Sequence, residues 1–442
     1  MVKRSWFRAL ILALCAVLLI PGQAFATPGA LLWVNPTNAS QAAVGPTVVN
    51  GIAYYGEGSG PLSAWNAATG ALLWSYQIPG RTGINGAPAV AGNTVYVGGV
   101  GGSVAALNAT TGAVQWVNAT NASESGIGPT VVNGIVYYGS GNGPMYAWNA
   151  TTGAQLWSYQ IPGRSGIEGA PTVVGNTVYL GGFGGSVAAL NATTGAVQWV
   201  AVTNASETGI GPTVVNGVVY YGSGSGPMRA WDATTGALLW SYQIPGRTGI
   251  NGAPTIVGGT VYLGGVGGSI AALNATTGAV QWVDSTNASE SGIGPTVVGG
   301  IAYYGEGSGP LYAFNAGTGA QLWNYQIPGR TGINGWPVVV GTTVYVGGIG
   351  GSIAAVNSAT GTAAWVASTN ASESGIGPVV VNGDAYYGEG SGPLYAWNAG
   401  TGALLWNYQI PGRTGINGAP AVVGNVLYAG GWGGSIAALS TV

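Results

Sequence analysis

Histidine is absent from the 442 residues, and cysteine occurs once, at Cys15. These shortages exclude a zinc site, a Cys–His dyad, a Ser–His–Asp triad and a disulfide framework. Charge is scarce as well: Asp, Glu, Lys and Arg make up 5% of the chain, against roughly 25% in an ordinary soluble protein. Nine basic and eleven acidic residues leave a formal net charge of −2. The chain therefore has no basic footprint for nucleic acid and, past its first eight residues, no polybasic patch for anionic lipid. No stretch combines a helical apolar period with capping residues. After residue 26, Gly, Pro and Asn interrupt every apolar run, so no membrane span is expected there.

Residues 1–26 read as a signal peptide. Lys3, Arg4 and Arg8 give a positive start, Ala9 to Ile20 is an apolar run of twelve, and Ala24-Phe25-Ala26 presents a small-x-small cleavage pattern. The run is too short for an uncleaved anchor, which needs roughly 20 apolar residues. Leu14 stands where a lipoprotein signal requires a small residue before Cys15, so lipidation is not expected. Residues 27–442 then carry six Arg, no Lys and eleven acids, a net charge of −5. The expected location is secreted, either periplasmic or extracellular.

What the chain does have is repetition. Tryptophans fall at 33, 74, 116, 157, 199, 240, 282, 323, 365 and 406, with spacings alternating between 41 and 42. The period is 83, divided into two related halves, one beginning at Gly45 and the other at Ala87. Ten prolines, from Pro46 to Pro420, open the halves. Each half holds four short runs rich in Val, Ile, Tyr and Trp, residues that fit a pleated, half-buried surface. In the first half these are Thr47–Val49, Ile52–Tyr55, Leu62–Trp65 and Leu72–Gln77, with Asn50-Gly51 and Thr69-Gly70 closing hairpins. The 84 glycines recur at fixed turn positions, which argues against disorder. Four strands in about 41 residues make one blade of a β-propeller.

Ala230-Trp231-Asp232-Ala233-Thr234-Thr235-Gly236-Ala237-Leu238-Leu239-Trp240 resembles the A-x-D-x-x-T-G-x-x-x-W blade motif of the pyrroloquinoline-quinone-like (PQQ-like) repeat propellers. Asn replaces the Asp at 66, 108, 149, 191, 274, 315, 357 and 398, and either side chain accepts turn N–H bonds. The resemblance covers nearly all of residues 27–442 and implies that each Trp docks one blade on the next. Eight blades are usual in that family; ten repeats here predict ten four-stranded blades in one all-β ring, with pseudo-fivefold 83-residue symmetry. The last repeat stops at Ile436-Ala437-Ala438-Leu439, before any fourth strand, and Ala30-Leu31-Leu32-Trp33-Val34 is that missing strand. The N-terminal strand is thus expected to complete the last blade and close the ring. An open superhelical array or two smaller rings are the alternatives.

The few charges are periodic too. Arg81, Arg164, Arg247, Arg330 and Arg413 recur every 83 residues in IPGR(T/S)GI, between one blade and the next. Glu124, Glu207, Glu290 and Glu373 hold the matching place in NASE(S/T)GI, with Gln41 as the fifth equivalent. Glu57, Glu306 and Glu389 stand between second and third strands, where Ser140 and Ser223 complete the set. All these loops share one face of a propeller, so a charged face is expected opposite a face of neutral Asn-Gly and Thr-Gly turns. Two compatible readings follow: inter-blade ion pairing worth about 0–1 kcal/mol per exposed pair, and a polar recognition face where glycine loops expose backbone amides. Trp65, Trp148, Trp231, Phe314 and Trp397, with the Tyr-Tyr pairs starting at 54, 137, 220, 303 and 386, fit inter-sheet packing better than sugar stacking. Ten N-x-S/T sequons run from Asn38 to Asn370, and those at Asn108, Asn149, Asn191 and Asn274 are simply the blade turn repeated.

Quinone-dependent dehydrogenases of the resembled family hold their cofactor in the channel with a calcium ion, a catalytic aspartate, a Trp platform and usually a disulfide of adjacent cysteines. Those parts do not carry over. Cys15 is the only cysteine, and the three aspartates are Asp232 in a turn motif, Asp284 after a docking Trp and Asp384 at a second strand. Calcium wants six to eight oxygens, several of them convergent carboxylates. Departures from the repeat, namely Glu168, Arg229, Asp232, Asp284, Trp336, Asp384 and Trp432, are scattered along the chain. The sequence therefore reads as a non-catalytic propeller with no cofactor, binding a protein or surface polymer through the Arg/Glu loop face or serving as an envelope scaffold. Propellers with this repeat include the envelope assembly lipoproteins of bacteria, whose lipid signal this chain lacks. The alternatives are a quinone-dependent dehydrogenase relative and a glycan-binding, lectin-like propeller.

Overall fold

The computed structural model describes residues 27–35, 45–56, 58–120, 128–139, 141–203, 211–222, 224–286, 294–305, 307–369, 377–388, 390–416 and 418–442. The signal peptide expected over 1–26 lies outside them. Forty strands form ten four-stranded antiparallel sheets and no helix is present among the described residues. The chain is an all-β propeller of ten blades. In chain order the blades span 47–76, 84–118, 130–159, 167–201, 213–242, 250–285, 296–325, 333–367, 379–408 and 421–440, the last joined by Leu31–Asn35.

Local sequence explains the first blade closely. Its strands are Thr47–Val49, Ile52–Gly56, Leu62–Asn66 and Leu72–Tyr76. Asn50 and Gly51 both take positive φ, 51° and 75°, as a two-residue hairpin turn demands. At the next turn Asn66 Oδ1 accepts the Ala68 and Thr69 N–H groups at 3.0 and 2.9 Å, so the Asn of the motif acts as a local turn acceptor. A bulge between the third and fourth strands pairs Ala64 with Trp74 and Trp65 with Leu72. Trp65 packs toward the tenth blade and Trp74 toward the second.

The second blade type differs from the sequence expectation. Its first strand does not open at the proline; it runs Ile84–Ala91, with Pro88 inside, and the ladder is interrupted between Asn85 and Ala89. Proline has no N–H to give the ladder, so it sits where the pairing breaks. The same interruption recurs in Ile167–Val174, Ile250–Val257 and Ile333–Val340. The tenth blade keeps only Ala421–Val423 in its first strand, plus an isolated bridge from Ile416 to Gly431.

There is no single central core. Ten apolar clusters each lie between two neighbouring blades. Each is bounded by a Trp of a fourth strand, and nearly every one of those Trp side chains is clamped across the seam. Trp74 Nε1 and Tyr54 Oη both donate to the Ala109 carbonyl, at 2.9 and 3.3 Å, in the turn of the following blade. The same double donation reaches the carbonyls of Ala150, Ala192, Ala233, Ala275, Ala316 and Ala399. Trp323 reaches Ser358 O instead, at 2.9 Å. Trp33 and Tyr428 hold Ala67 O, which ties the tenth blade to the first. Leu31–Asn35 pairs antiparallel with Ile436–Ser440. Ser440 N–H donates to Ala30 O and Gly29 N–H to Ser440 O, the two bonds that Asn66, Ala71 and Gly70 make within one turn of the first blade.

Candidate functional site

Antiparallel strands put the turns of each blade on two sides. On one side the Asn-Gly and Thr-Gly turns meet, as in Ala67 N–H to Gly51 O at 2.8 Å. On the other, the linker entering a blade meets that blade's loop between second and third strands, as in Val100 N–H to Gly83 O at 3.0 Å. The five periodic arginines lie in those linkers, half-buried. Each is built in by the same local device: Arg81 N–H donates to Ile78 O at 3.1 Å, and Gln77 Nε2 donates to Arg81 O at 2.8 Å.

Their guanidinium groups bridge blades rather than stand free. Arg81 Nε donates to Ser103 Oγ at 2.5 Å and Nη2 to Thr120 O at 3.0 Å. Arg247 repeats this with Ser269 and Thr286 at 2.5 and 2.9 Å. Arg164 bonds Ser186 and Thr203, Arg330 bonds Ser352 and Thr369, and Arg413 bonds Ser435. The serines are buried, at 0–2% exposure, and Gly101 leaves the space the guanidinium crosses, since a Cβ there would stand 2.7 Å from Arg81 Nη1. A guanidinium has five N–H donors in a fixed fork, so two bonds of this kind leave others for a ligand. The acceptors were not singled out from the sequence, although each serine follows its arginine by 22 residues at the end of a Gly-Gly pair.

Glu124, Glu207, Glu290, Glu373, Glu57, Glu306 and Glu389, with Gln41, lie outside the described residues. Thr120, which Arg81 holds, directly precedes the segment 121–127. The aromatic candidates are buried: Trp65, Trp148, Trp231, Phe314 and Trp397 expose 3% or less, and the Tyr-Tyr pairs 2% or less. Burial pushes the Tyr137 hydroxyl up to about 12 and raises Tyr386 further, helped by the Asp384 charge beside it. Such rings have no face for a sugar.

The departures from the repeat are not gathered in one place. Asp232 caps its own turn, accepting from Thr234 and Thr235 N–H, and those bonds hold its carboxyl below the usual range. Asp384 accepts from Tyr386 Oη at 3.2 Å, and burial raises its carboxyl. Trp336 and Trp432 expose 47% and 39% of their surface, in the eighth and tenth blades. Among the described residues no group of three or more acids, histidines or cysteines converges in metal-binding geometry. The described carboxylates therefore do not fit a calcium–quinone site. Likewise among them, no helix is long and apolar enough to cross a membrane.

The sequence profile of the family described as outer membrane protein assembly factor BamB matches residues 23–126, 118–210, 184–351 and 349–442. No curated protein is similar to the chain in sequence. Among solved structures, BamB from Moraxella catarrhalis is similar at 20% identity and a TM-score of 0.52, covering 93% of this chain and 99% of that one. The computationally designed Ika8 protein is similar at 19% identity and 0.51, covering 81% and 96%. The quinohemoprotein alcohol dehydrogenase from Comamonas testosteroni is similar at 16% and 0.52, covering 93% and 76%. At these identities the structures bear on fold alone.

Proposed function

The chain belongs to the outer membrane protein assembly factor BamB family of PQQ-like repeat propellers, and from that footing we propose that it is a secreted, non-catalytic scaffold that docks a protein through its linker face. The pairing of Leu31–Asn35 with the tenth blade supports a ring closed by the N-terminal strand, with fivefold repetition of the 83-residue unit over residues 27–442. The observation that carries the reading is the arginine bridge. Four guanidinium groups tie one linker to the next, as Arg81 ties its own linker to Thr120, and the fifth, Arg413, bonds Ser435, which supports a rigid face presented as one unit. A rigid face loses little entropy on docking, and repeated weak contacts add by avidity. The periodic glutamates would give that face its negative charge.

The test uses the cysteine-free chain 27–442 with one photo-crosslinker attached at a time. Thr82→Cys marks the linker face and Ala68→Cys the opposite face; both positions are exposed. Cross-links to outer-membrane assembly proteins from Thr82→Cys and not from Ala68→Cys are expected. Cross-links from Ala68→Cys alone overturn the face assignment. Calorimetric titration with pyrroloquinoline quinone and calcium, with dye-linked alcohol oxidation on the same sample, is expected to give neither heat nor turnover. Turnover would overturn the non-catalytic reading.

A further inference from the structure

The second residue of the third strand breaks the repeat in the fifth blade. The five equivalents are Ser63, Tyr146, Arg229, Tyr312 and Tyr395. In the third and ninth blades the tyrosine lies flat along the ring two residues on: Tyr146 on Trp148 at 5.3 Å and 13°, Tyr395 on Trp397 at 5.2 Å and 14°. Tyr312 does the same over Phe314, at 6.0 Å and 20°. In the fifth blade Arg229 takes that place beside Trp231, and a cavity of about 530 Å³ lies between the fourth and fifth blades. Val200, Ala201, Val202 and Thr203 form one wall; Trp231 and Leu238 are on the other.

The cavity has one cation, and two exposed aliphatic side chains, Val202 and Leu238, stand on its two walls within a lining that is otherwise more polar than apolar. Arg229 is half-buried, and burial lowers its hold on the proton. No described carboxylate pairs with it, and Asp232, three residues on, is committed to its own turn. The far wall is fixed in place: Arg164 Nη2 bonds the Thr203 carbonyl, and Thr203 Oγ1 donates to Gly185 O at 2.6 Å. A half-buried cation gains most from an anion that brings its own desolvated contacts.

We propose that this groove binds an organic carboxylate with a compact apolar body, the carboxylate on the Arg229 fork and the apolar part against Val202 and Leu238. Planar bidentate pairing is what a guanidinium offers a carboxylate, and the volume exceeds the needs of an inorganic anion. This binding is independent of the linker-face reading, because no periodic arginine lines the cavity.

Calorimetry on chain 27–442 tests it, with octanoate as the probe and acetate, hexyl phosphate and inorganic phosphate as the comparison arms. One octanoate per chain is expected, with acetate and inorganic phosphate at least tenfold weaker. Arg229→Tyr installs the residue that three sister blades carry, so the fold tolerates it; octanoate affinity should fall at least tenfold. Leu238→Gln alters an exposed wall residue, 55% accessible, and should weaken octanoate while leaving acetate unchanged. Absence of octanoate binding to the parent chain, or equal binding by Arg229→Tyr, overturns the proposal. Inorganic phosphate as tight as octanoate overturns its apolar half, and hexyl phosphate tighter than octanoate overturns the choice of carboxylate over phosphate.

Discussion

The inter-blade clamp can be measured because the propeller carries its own control. Trp240 and Trp406 occupy the same blade position and are equally buried, at 7% and 8% exposure. Each lies 5.9 Å from its tyrosine, Tyr220 or Tyr386, and each packs on a glycine of the following turn, Gly278 or Gly29. They differ in one bond. Trp240 Nε1 donates to Ala275 O at 3.0 Å, whereas Trp406 Nε1 is buried without a partner among the described residues. Tyr386 turns to Asp384 there rather than to a carbonyl across the seam. Trp→Phe at either site removes the same ring volume, so the cavity cost cancels in the comparison. At 240 it also removes a hydrogen bond worth about 0.5–1.5 kcal/mol, and Ala275 O keeps Tyr220 as a donor. At 406 it removes an unmet donor whose burial costs about 1–3 kcal/mol. Trp240→Phe should therefore be more destabilising than Trp406→Phe by roughly 1.5–4.5 kcal/mol. Guanidinium unfolding followed by far-ultraviolet circular dichroism reads the difference without relying on the altered fluorophore. Equal losses, or a larger loss at 406, would refute the view that the indole N–H, and not just the ring, holds the blades.

Gly246 and Gly278 both sit at positive φ, near 70°, but a Cβ meets nothing within 4 Å at Gly246 and stands 2.5 Å from Trp240 Cγ at Gly278. Gly246→Ala should cost about 1–2 kcal/mol for the left-handed backbone and Gly278→Ala about 1–3 kcal/mol more for overpacking, read from the same unfolding curves. Ser269→Ala removes the acceptor for Arg247 Nε; thermal unfolding should show a loss of about 1–3 kcal/mol, and adding Arg247→Lys should not restore it, because an ammonium lacks the fork. Asp384 and Asp232 should oppose each other in pH titrations of stability. Burial raises the Asp384 carboxyl, so the stability linked to its protonation is present in acid and lost as pH rises through its raised value. Asp384→Asn should therefore stabilise at pH 7 and do little at pH 3. Turn hydrogen bonds lower Asp232, so its contribution is present at neutral pH and lost as pH falls through its lowered value. Asp232→Asn should flatten that acid limb with little change at pH 7.

Strand positions in the first blade type were readable to within one residue, because period-2 patterning and Asn-Gly turns are local. Ten tryptophans at alternating spacing declared the blades before any contact was known. The bulged first strand at Ile84–Ala91 was not readable, since its register depends on the neighbouring strand across Asn85 and Ala89. The arginines were found but their partners were not. Charge complementarity suggested glutamates, whereas the described bonds go to Ser103-type hydroxyls and Thr120-type carbonyls, groups that no charge count can weigh. Arg229 stood out as a departure, yet its cavity exists only where Val200 to Thr203 of one blade face Trp231 of the next.

A propeller built this way separates structural from functional residues by their periodicity. A side chain that recurs every 41 or 83 residues meets the same neighbours each time, and the structure finds a use for it in the seams: Trp and Tyr on turn carbonyls, Arg on serine. Neutral donors on carbonyls do not need counter-ions, so these described bonds can join blade to blade in a chain with 5% charged residues. Recognition is then left to two kinds of feature. Repeated loops on the linker face would bind a partner at up to five equivalent places, by avidity, so weakening one Arg81-type linker should reduce binding only in part. A single departure such as Arg229 would bind one ligand, and one substitution should abolish it. Stoichiometry therefore distinguishes the two: a ligand bound once per chain belongs to the break in the repeat, and one bound several times belongs to the repeat itself.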